Sequence, residues 1–394
     1  MTVKYLHVIH SLNPEHGGPG EGVKQLTAAA MRLNQSVEIV TLDAPQSAWI
    51  RDYACAVHCL GPGLLKYGYA PRFMPWLRDN LARYDAVIVN GIWQYHSYAT
   101  WRALRGSGIP YYVFTHGMLD PWFKSRYPAK HVKKLLYWQC AEYQVLRNAR
   151  GVLFTSEEER LLARQSFRRY CAREIVVNYG TPGLPGDPAA QRTLFLRRFP
   201  RLRGKRLFLF LSRIHPKKGC DLLIEAFAPM LRLDPALHLV IAGPDQSGMQ
   251  AQLARLAERL GVAQSLTWTG MLRDDLKAGA FHAAEAFVLP SHQENFGIAV
   301  VEALSCQVPV LISNKVNIWR EIAADEAGLI ADDTRQGIQQ LLQRWLTFGG
   351  EERQTMARNA ARCFRERFHV DTAAINILLL LAQHRSERKQ KVAA

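Results

Sequence analysis

Residues 287–313 read FVLPSHQENFGIAVVEALSCQVPVLIS, and the pattern of this stretch decides the fold. One apolar run ends at Pro290 and another begins after Pro309, with a polar loop and a helical stretch that opens at Gly297 between them. Two buried runs joined by a loop and a helix are typical of a parallel α/β sheet. Because the helix opens at the carboxyl end of a strand, its free N–H groups and positive dipole end point into the crevice there, where a phosphate is the natural ligand.

Two glutamates, Glu294 and Glu302, flank this helix opening with seven residues between them. In a continuous helix they would lie ~12 Å apart, too far to grip one atom but suited to the two ends of one ligand. A carboxylate accepts hydrogen bonds from vicinal hydroxyls, and a nucleotide sugar carries such hydroxyls on its ribose and on its sugar. The alternative is a buried α/β segment with two solvated glutamates.

The spacing of these glutamates resembles the E-x7-E signature of the retaining glycosyltransferases of family four. The wider pattern agrees, with Pro290-Ser291 before the loop, Phe296-Gly297 at the helix opening and Pro309-Val310 after the helix. Gln307 departs from the pattern, because the family usually has a glycine shortly before Pro-Val, and this leaves the local loop geometry open. Within the resemblance, donor binding falls to Glu302 and to the residues around the helix opening, Asn295, Phe296, Gly297 and Ile298.

The family has the GT-B fold, so the resemblance implies an α/β chain with two Rossmann-like, doubly wound parallel-sheet domains facing a cleft. The sequence agrees, since 394 residues suffice for two domains and strand-like runs alternate with helical stretches in both halves. A Gly- and Pro-rich stretch over residues 178–191 marks the linker. We expect an acceptor-binding domain over residues 1–182, a nucleotide-sugar-binding domain over residues 190–370, and a last helix at about 371–394 that packs back on the first domain.

The N-terminal half opens with a strand over residues 4–9, a glycine-rich loop, and a helix expected from Gly22 to about Leu33. The loop lacks the G-x-G-x-x-G dinucleotide fingerprint. It resembles the Gly-Gly loop with which the family approaches the donor diphosphate, and this assigns donor binding to Gly17 and Gly18.

Polar residues follow two further strands expected in this half, near residues 86–89 and 111–114. Ligands gather at such strand ends in open α/β sheets. His116 resembles the family's active-site histidine, although a lone histidine is more often structural. Trp93 and Asp120 are candidate acceptor contacts, and the sequence leaves open whether Asp120 orients an acceptor hydroxyl or caps a helix.

The first strand expected in the C-terminal half, residues 207–211, is followed by SRIHPKKG. Arg213 and Lys218 resemble the family's two diphosphate-binding cations. The chemistry requires such groups, because charge-assisted hydrogen bonds stabilise a diphosphate as it leaves. The alternative is a solvated basic turn. Pro244 and Met271 follow later strands, at positions that lie near the nucleotide base in the family.

The chain is strongly basic, with 50 Lys and Arg against 34 Asp and Glu, a net charge of +16 and a pI near 9.7. This balance implies an anionic partner. Charge alone does not decide whether that partner is nucleic acid, acidic lipid or a phosphorylated small molecule. The resemblance favours a nucleotide sugar, and we expect no nucleic-acid partner.

A helix expected near residues 129–147 suggests a second partner, an acidic membrane surface. Its segment PAKHVKKLLYW places three lysines beside an aromatic pair, Lys130, Lys133, Lys134, Tyr137 and Trp138. The interleaved Val132, Leu135 and Leu136 are expected to face a core. The alternative is an ordinary core helix with a solvated basic face.

The resemblance implies a retaining, metal-independent hexosyltransferase of bacterial cell-surface polysaccharide biosynthesis, with Glu294, His116, Arg213 and Lys218 as catalytic residues. It would move a sugar from a nucleotide-diphospho-sugar to a saccharide or lipid-linked saccharide, with no other cofactor. Scattered cysteines and the absence of a signal peptide or long apolar run predict a cytoplasmic protein, peripheral on the inner face of the membrane. The alternatives are another GT-B enzyme, such as a nucleotide-sugar 2-epimerase, and a non-enzymatic binder of acidic lipid or nucleic acid.

Overall fold

The structure, a computed structural model, describes residues 2–16, 18–126 and 128–393. The chain divides into two compact units. The N-terminal unit comprises the chain up to Pro182 and from His369 onward, and the C-terminal unit is Gly183–Phe368.

The N-terminal unit is built on a parallel sheet with helices around it. Its strands are β1 Lys4–Ile9, β2 Ser36–Thr41, β3 Ala56–Cys59, β4 Ala86–Asn90, β5 Tyr111–Phe114, β6 Gly151–Phe154 and β7 Glu174–Val176. The helices from the first part of the chain are α1 Gly18–Arg32, α2 Phe73–Asn80, α3 Tyr95–Leu104, α4 Trp122–Arg126, α5 Pro128–Tyr137, α6 Tyr143–Asn148 and α7 Glu157–Ala163. Short 3-10 turns lie at Pro14–His16, Ala48–Asp52 and Leu81–Arg83. The strand order is β3-β2-β1-β4-β5-β6-β7.

The C-terminal unit repeats this plan. Its strands are β8 Arg206–Leu211, β9 Leu237–Ala242, β10 Leu266–Gly270, β11 Ala286–Leu289, β12 Val310–Ser313 and β13 Gly328–Ala331. Its helices are α8 Pro188–Arg198, α9 Cys220–Phe227, α10 Met230–Leu233, α11 Gln250–Arg259, α12 Asp274–Ala283, α13 Ile298–Ser305, α14 Trp319–Ala324, α15 Arg335–Thr347 and α16 Gly350–Cys363. Short 3-10 turns lie at Pro200–Leu202, Pro216–Lys218 and Ala263–Ser265. The strand order is β10-β9-β8-β11-β12-β13.

In both sheets the order of the strands reverses next to the first strand of the unit. The reversal falls between β1 and β4 in one sheet and between β8 and β11 in the other, and the paired strands are parallel. Central strands such as β4 and β9 are buried along their whole length, which is why they appear in the sequence as continuous apolar runs. Ligands of open α/β sheets bind at the carboxyl ends of the strands at such a reversal.

The last helix of the chain, α17 Val370–Ala393, belongs to the N-terminal unit and contacts α1. An ion pair joins the Arg32 guanidinium to Asp371 at 2.5 Å, and the Val370 N–H donates to the Thr181 carbonyl at 3.1 Å. None of the described helices combines the length and apolar composition needed to cross a bilayer.

Several element boundaries differ from those expected. Helix α1 begins at Gly18 rather than Gly22, because Pro19 fits a first helical turn, where its missing N–H is not needed. The single helix expected near residues 129–147 is α5 and α6, joined by a π-helical turn at Trp138–Glu142. Strands β3 and β13 were not expected, since each is a four-residue edge strand that is only partly buried.

The structure explains how Gln307 replaces the glycine that the family usually has shortly before Pro-Val. Gln307 follows α13 with a φ of +60°, the left-handed conformation that usually ends a helix and favours glycine. Its N–H donates to the Leu304 carbonyl at 3.0 Å. The turn before Pro309 therefore keeps the geometry that a glycine would give, at a cost of about 1 kcal/mol in backbone strain.

Gly219 fixes the approach of the two loops at the reversal of the C-terminal sheet. It caps α9 with a φ of +65°, and a Cβ at this position would lie 2.2 Å from the carbonyl oxygen of Pro290. No side chain fits between these backbones, so the loop after β8 can pack on the loop after β11 only with glycine here.

We expect Gly219→Ala to lower the free energy of unfolding of the full chain by about 3 kcal/mol or more, measured by urea denaturation. Gly261→Ala is the matched control, because Gly261 has a φ of +70° and open space around its Cα. It carries the backbone strain alone, about 1 kcal/mol. Equal losses in the two variants would show that contact with Pro290 does not constrain the fold.

Candidate functional site

The strand reversal in the C-terminal unit brings two of the predicted site residues into contact, and a third lies at the end of the same strand. Arg213 and Lys218 follow β8, and Glu294 follows β11, the strand that pairs with β8. The Lys218 ammonium donates to a carboxylate oxygen of Glu294, and only 6% of Lys218 is exposed. A lysine this buried needs a partner for its charge, so the pair is part of how the two loops fold together.

The backbone around Glu294 is held on both sides. The Glu294 N–H donates to the Lys315 carbonyl at 2.9 Å, and the Glu294 carbonyl accepts from the Asn317 N–H at 2.9 Å. The His292 N–H donates to the Lys217 carbonyl at 2.7 Å, which ties this loop to the one after β8. Glu294 is therefore a rigid feature of the site.

Helix α13 opens directly after this loop, as expected from the sequence. Gly297 precedes it with a φ of +76°, and a Cβ there would lie 3.3 Å from the Glu294 Cγ. Phe296 is buried against the Phe368 ring at 5.8 Å between centroids, and the Asn295 amide accepts from the Asn317 side chain at 3.3 Å. Ile298 is the first, partly exposed residue of the helix.

Glu302 lies one turn into α13 and is paired with a lysine that sequence reasoning missed. Lys277, on α12, donates to Glu302 Oε1 at 2.6 Å, and Glu302 is 8% exposed. Both glutamates of the motif are thus held by lysines. No motif marked Lys277, and only the tertiary fold brings it to Glu302.

The predicted residues at the ends of β8, β9 and β10 form the exposed side of the same sheet edge. The Arg213 guanidinium donates to Gln246 Oε1 at 3.2 Å, and the Pro244 carbonyl accepts from the Ile214 N–H at 2.9 Å. Met271, after β10, is 58% exposed. Arg213 and Met271 therefore present their side chains to solvent, as a ligand-binding surface requires.

In the N-terminal unit, the strand reversal places His116 beside Asn90. Asn90 ends β4; its side-chain oxygen lies 3.3 Å from His116 Nε2 and its amide nitrogen 3.1 Å from His7 Nδ1. His116 stacks on Phe114 and has a φ of +47°, which is strained for a side chain of this size. Burial lowers the pKa of His116 to about 4, so its imidazole is neutral at pH 7.

A buried carboxylate that the sequence did not single out holds the His116 loop. Glu159, on α7, accepts from the Gly117 N–H at 2.6 Å and from the Thr115 hydroxyl at 2.7 Å. Its other oxygen accepts from the Thr155 N–H at 2.8 Å. These bonds fix the residues on both sides of His116, and with them its strained backbone.

Trp93 is held in a similar way. Its φ is +76°, its N–H donates to Glu142 Oε2 at 3.1 Å, and its indole N–H donates to the Met118 carbonyl at 3.2 Å. Burial raises the pKa of Glu142, in the π-helical turn, to about 7. For Asp120, the structure shows the capping geometry, since its side chain accepts from the Trp122 N–H at 2.8 Å where α4 begins.

A cavity of about 580 Å³ lies at this strand reversal. It is lined by Ile9, His10, Ser11, Pro19, Gly20, Leu65, Lys66, Asn90, Gln94 and Met118. Gly18 opens α1 directly before the lining residue Pro19. Gly17, the other predicted glycine of this loop, lies outside the described residues.

The chain carries seven free cysteine thiols, and Cys55 and Cys59 are partly buried. Among the side chains that the structure describes, no three of His, Cys, Asp or Glu are grouped so that they could hold a metal ion.

Two domain models match the chain, one after the other. The model described as glycosyl transferase 4-like domain matches residues 17–180, and the one described as glycosyl transferases group 1 matches residues 193–362. Two Rossmann-like parallel-sheet units in this order define the GT-B class, which confirms the predicted fold class. The chain belongs to the group 1 glycosyltransferases.

Curated relatives match over part of their length. D-inositol 3-phosphate glycosyltransferase of Rhodococcus opacus (strain B4) is 32% identical over 209 residues, which cover 50% of this chain and 45% of that protein. Its counterpart from Geodermatophilus obscurus is 36% identical over 178 residues, covering 40% of this chain and 38% of that protein. The chain thus spans less than half the length of these relatives.

Solved structures match over nearly the whole chain. Sucrose-phosphate synthase of Thermosynechococcus elongatus has a TM-score of 0.72 at 20% identity, covering 98% of this chain and 100% of that chain. HepE of Anabaena, in complex with UDP-glucose, has a TM-score of 0.73 at 18% identity, covering 97% of this chain and 100% of that chain. At these identities the likeness shows the fold.

Two buried histidines of the N-terminal unit should lower the free energy of unfolding in mild acid. Burial lowers the pKa of both His7 and His96 to about 3, below the 6.5 of an unfolded histidine. The unfolded chain therefore takes up protons first as the pH falls through 6.5, and folding loses up to about 2 kcal/mol per histidine by pH 5. Glu142 acts with the opposite sign, because its raised pKa lets the folded chain bind a proton first.

We therefore expect His96→Gln to reduce the acid sensitivity of the chain, measured as the difference in unfolding free energy between pH 7 and pH 5. Glu142 contributes equally to this difference in the variant and in the wild type, so comparing the two proteins gives the contribution of His96 alone. The same fall with pH in both proteins would show that His96 does not stay neutral in the fold.

Proposed function

We propose that the chain is a retaining, metal-independent hexosyltransferase that moves a sugar from a nucleotide-diphospho-sugar to a saccharide or lipid-linked saccharide in cell-surface polysaccharide synthesis. The observation that carries the proposal is the Lys218–Glu294 pair at the strand reversal, with Arg213 at the end of the same strand β8 and the N-terminus of α13 directly after the Glu294 loop. Cations and free N–H groups there match a diphosphate. The HepE structure with UDP-glucose supports a uridine diphosphate sugar as the first donor to test.

Each residue of the C-terminal cluster has a proposed role. Arg213, Lys218 and the N–H groups that open α13 take up the negative charge that develops on the diphosphate as the glycosidic bond breaks. Glu302 accepts from the ribose diol, with Lys277 fixing one of its oxygens. Glu294 accepts from hydroxyls of the transferred sugar. The leaving phosphate takes the acceptor proton on the same face of the sugar, so the anomeric configuration is kept.

In the N-terminal unit we propose that His116 acts as a neutral hydrogen-bonding group and that the acceptor binds near Trp93. A pKa of about 4 keeps the imidazole uncharged, so it suits a sugar hydroxyl better than a phosphate. Gly17, Gly18, Pro244 and Met271 stay proposed donor contacts, and Asp120 a proposed acceptor contact. Cytoplasmic placement likewise stays a proposal.

The first experiment is a transfer assay with a panel of nucleotide sugars and saccharide acceptors, with anomeric configuration assigned by NMR. We expect Arg213→Ala to lower turnover about 10- to 100-fold, since it removes a charge-assisted hydrogen bond to the leaving group. Arg255→Ala, on the exposed face of α11, should leave turnover unchanged. A chelator should also have no effect.

Three results would contradict this proposal: an inverted product, loss of activity in EDTA that manganese restores, or full turnover in folded Arg213→Ala. Epimerised nucleotide sugar formed without an acceptor would favour the 2-epimerase alternative.

Substitutions of Glu302 and Glu294 should change different kinetic constants. The ribose diol is unchanged by the reaction, so Glu302→Gln should raise the donor KM about 10-fold with little change in kcat. Lys277→Met should shift KM in the same direction, because Lys277 fixes Glu302. Glu294 faces the sugar, which gains positive charge, so Glu294→Gln should mainly lower kcat.

Steady-state kinetics with one donor measure KM and kcat for both variants, with Glu258→Gln on α11 as the surface control. If Glu302→Gln lowered only kcat and Glu294→Gln raised only KM, the donor would bind in the reverse orientation.

A further inference from the structure

Helix α5 lies with polar side chains toward the protein and apolar side chains toward solvent. The inward contacts are His131 stacked on Phe167 at 5.0 Å, the Lys134 ammonium 4.6 Å from the Trp93 ring centroid, and the Tyr137 hydroxyl 2.9 Å from that of Tyr67. None of its ten residues is buried. The usual arrangement of a surface helix, apolar side inward, is therefore reversed.

The outward side of α5 carries three apolar residues. Leu136 is 71% exposed, Val132 59% and Leu135 36%. Val132 and Leu136 are four residues apart and so lie on one face of the helix. The expectation that these three face a core is wrong, because Trp93 and Phe167 pack against the other side of the helix. Neighbouring exposed apolar residues of this kind form a candidate interaction surface.

Basic groups lie beside this apolar surface and beside the inward side of the same helix. Lys133 is exposed beside Leu136, and a cavity of about 730 Å³ formed mainly by residues 164–172 is lined by Lys124, Arg168 and Arg169. The cavity adjoins the inward side of α5, because Phe167 stacks on His131 and the Trp138 indole N–H, just after α5, donates to the Arg168 carbonyl at 3.3 Å.

Two arginines of this cavity, Arg168 and Arg169, keep their charge available. Its acidic residue, Glu174, is paired with Arg160 at 3.0 Å and with Arg164. No carboxylate in the described part of the chain pairs with Arg168 or Arg169. Guanidinium groups in this situation bind phosphate through paired hydrogen bonds.

We propose that α5 and the adjoining basic loop form a docking surface for an anionic phospholipid bilayer. Val132, Leu135 and Leu136 enter the boundary between headgroups and acyl chains, and Arg168 and Arg169 bind lipid phosphates. The complementary charge favours a bilayer over a second copy of this basic chain. The choice of lipid rests in part on the proposed function, because a lipid-linked acceptor would be presented at this surface.

The test is vesicle flotation of the full chain with phosphatidylcholine alone and with added phosphatidylglycerol. We expect recovery with the anionic vesicles, weakening as salt rises. Val132→Ser with Leu136→Ser should weaken binding about 10-fold or more, and Arg168→Glu with Arg169→Glu about 25-fold or more. The matched controls lie in the C-terminal unit: Leu233→Ser, at a residue 63% exposed, and Arg255→Glu with Arg259→Glu.

Equal recovery with neutral and anionic vesicles, no recovery, or the same loss in the controls would overturn the proposal. So would an oligomer in sedimentation velocity that Val132→Ser with Leu136→Ser dissociates, since a second copy would then cover α5. Binding of inorganic phosphate without vesicle recovery would make the cavity a site for soluble anions and also overturn it. Donor-induced thermal shift is measured separately: a chain that floats but binds no nucleotide sugar keeps this inference and loses the proposed function.

Discussion

The candidate site of the C-terminal unit depends on one constraint, the contact between the loops after β8 and β11 where the strand order reverses. Gly219 lets the backbones meet at Pro290, and the Lys218–Glu294 pair joins the same loops through their side chains. Burying such a pair rarely adds stability over apolar packing, because both charges lose their hydration. The pair therefore joins the loops without being strong evidence for stability, and its position at the strand ends agrees with the ligand roles proposed for both residues.

In the N-terminal unit, buried carboxylates hold the strained backbone at two of the predicted site residues. His116 and Trp93 both have left-handed backbones, which cost of order 1–3 kcal/mol each. Glu159 fixes the residues beside His116, and Glu142 accepts directly from the Trp93 N–H. The two strained residues were both singled out from their positions after strands. Strain that buried groups maintain at such positions indicates that side-chain placement there matters more than local stability.

Sequence reasoning reached the fold because the signals it uses are local. Buried parallel strands are short apolar runs, so β1 and β5 were expected with the bounds they have. The glutamate motif is local too, which is why Glu294 and Glu302 were found. Lys277, Glu142 and Glu159 were missed for the opposite reason. Each acts on a residue that is at least 25 positions away, and no spacing within one element reports such a contact.

Helix α5 shows a further limit of the same kind. Periodicity divides the residues of a helix between its faces, but which face turns inward depends on what the rest of the chain offers to pack against. Around α5 the chain offers aromatic rings, Trp93 and Phe167, and a cation or an imidazole packs well on such rings. Lys134 and His131 therefore take the inward positions that aliphatic residues usually occupy. The aliphatic side chains are left outside by the packing itself, so their exposure is a fixed property of the fold.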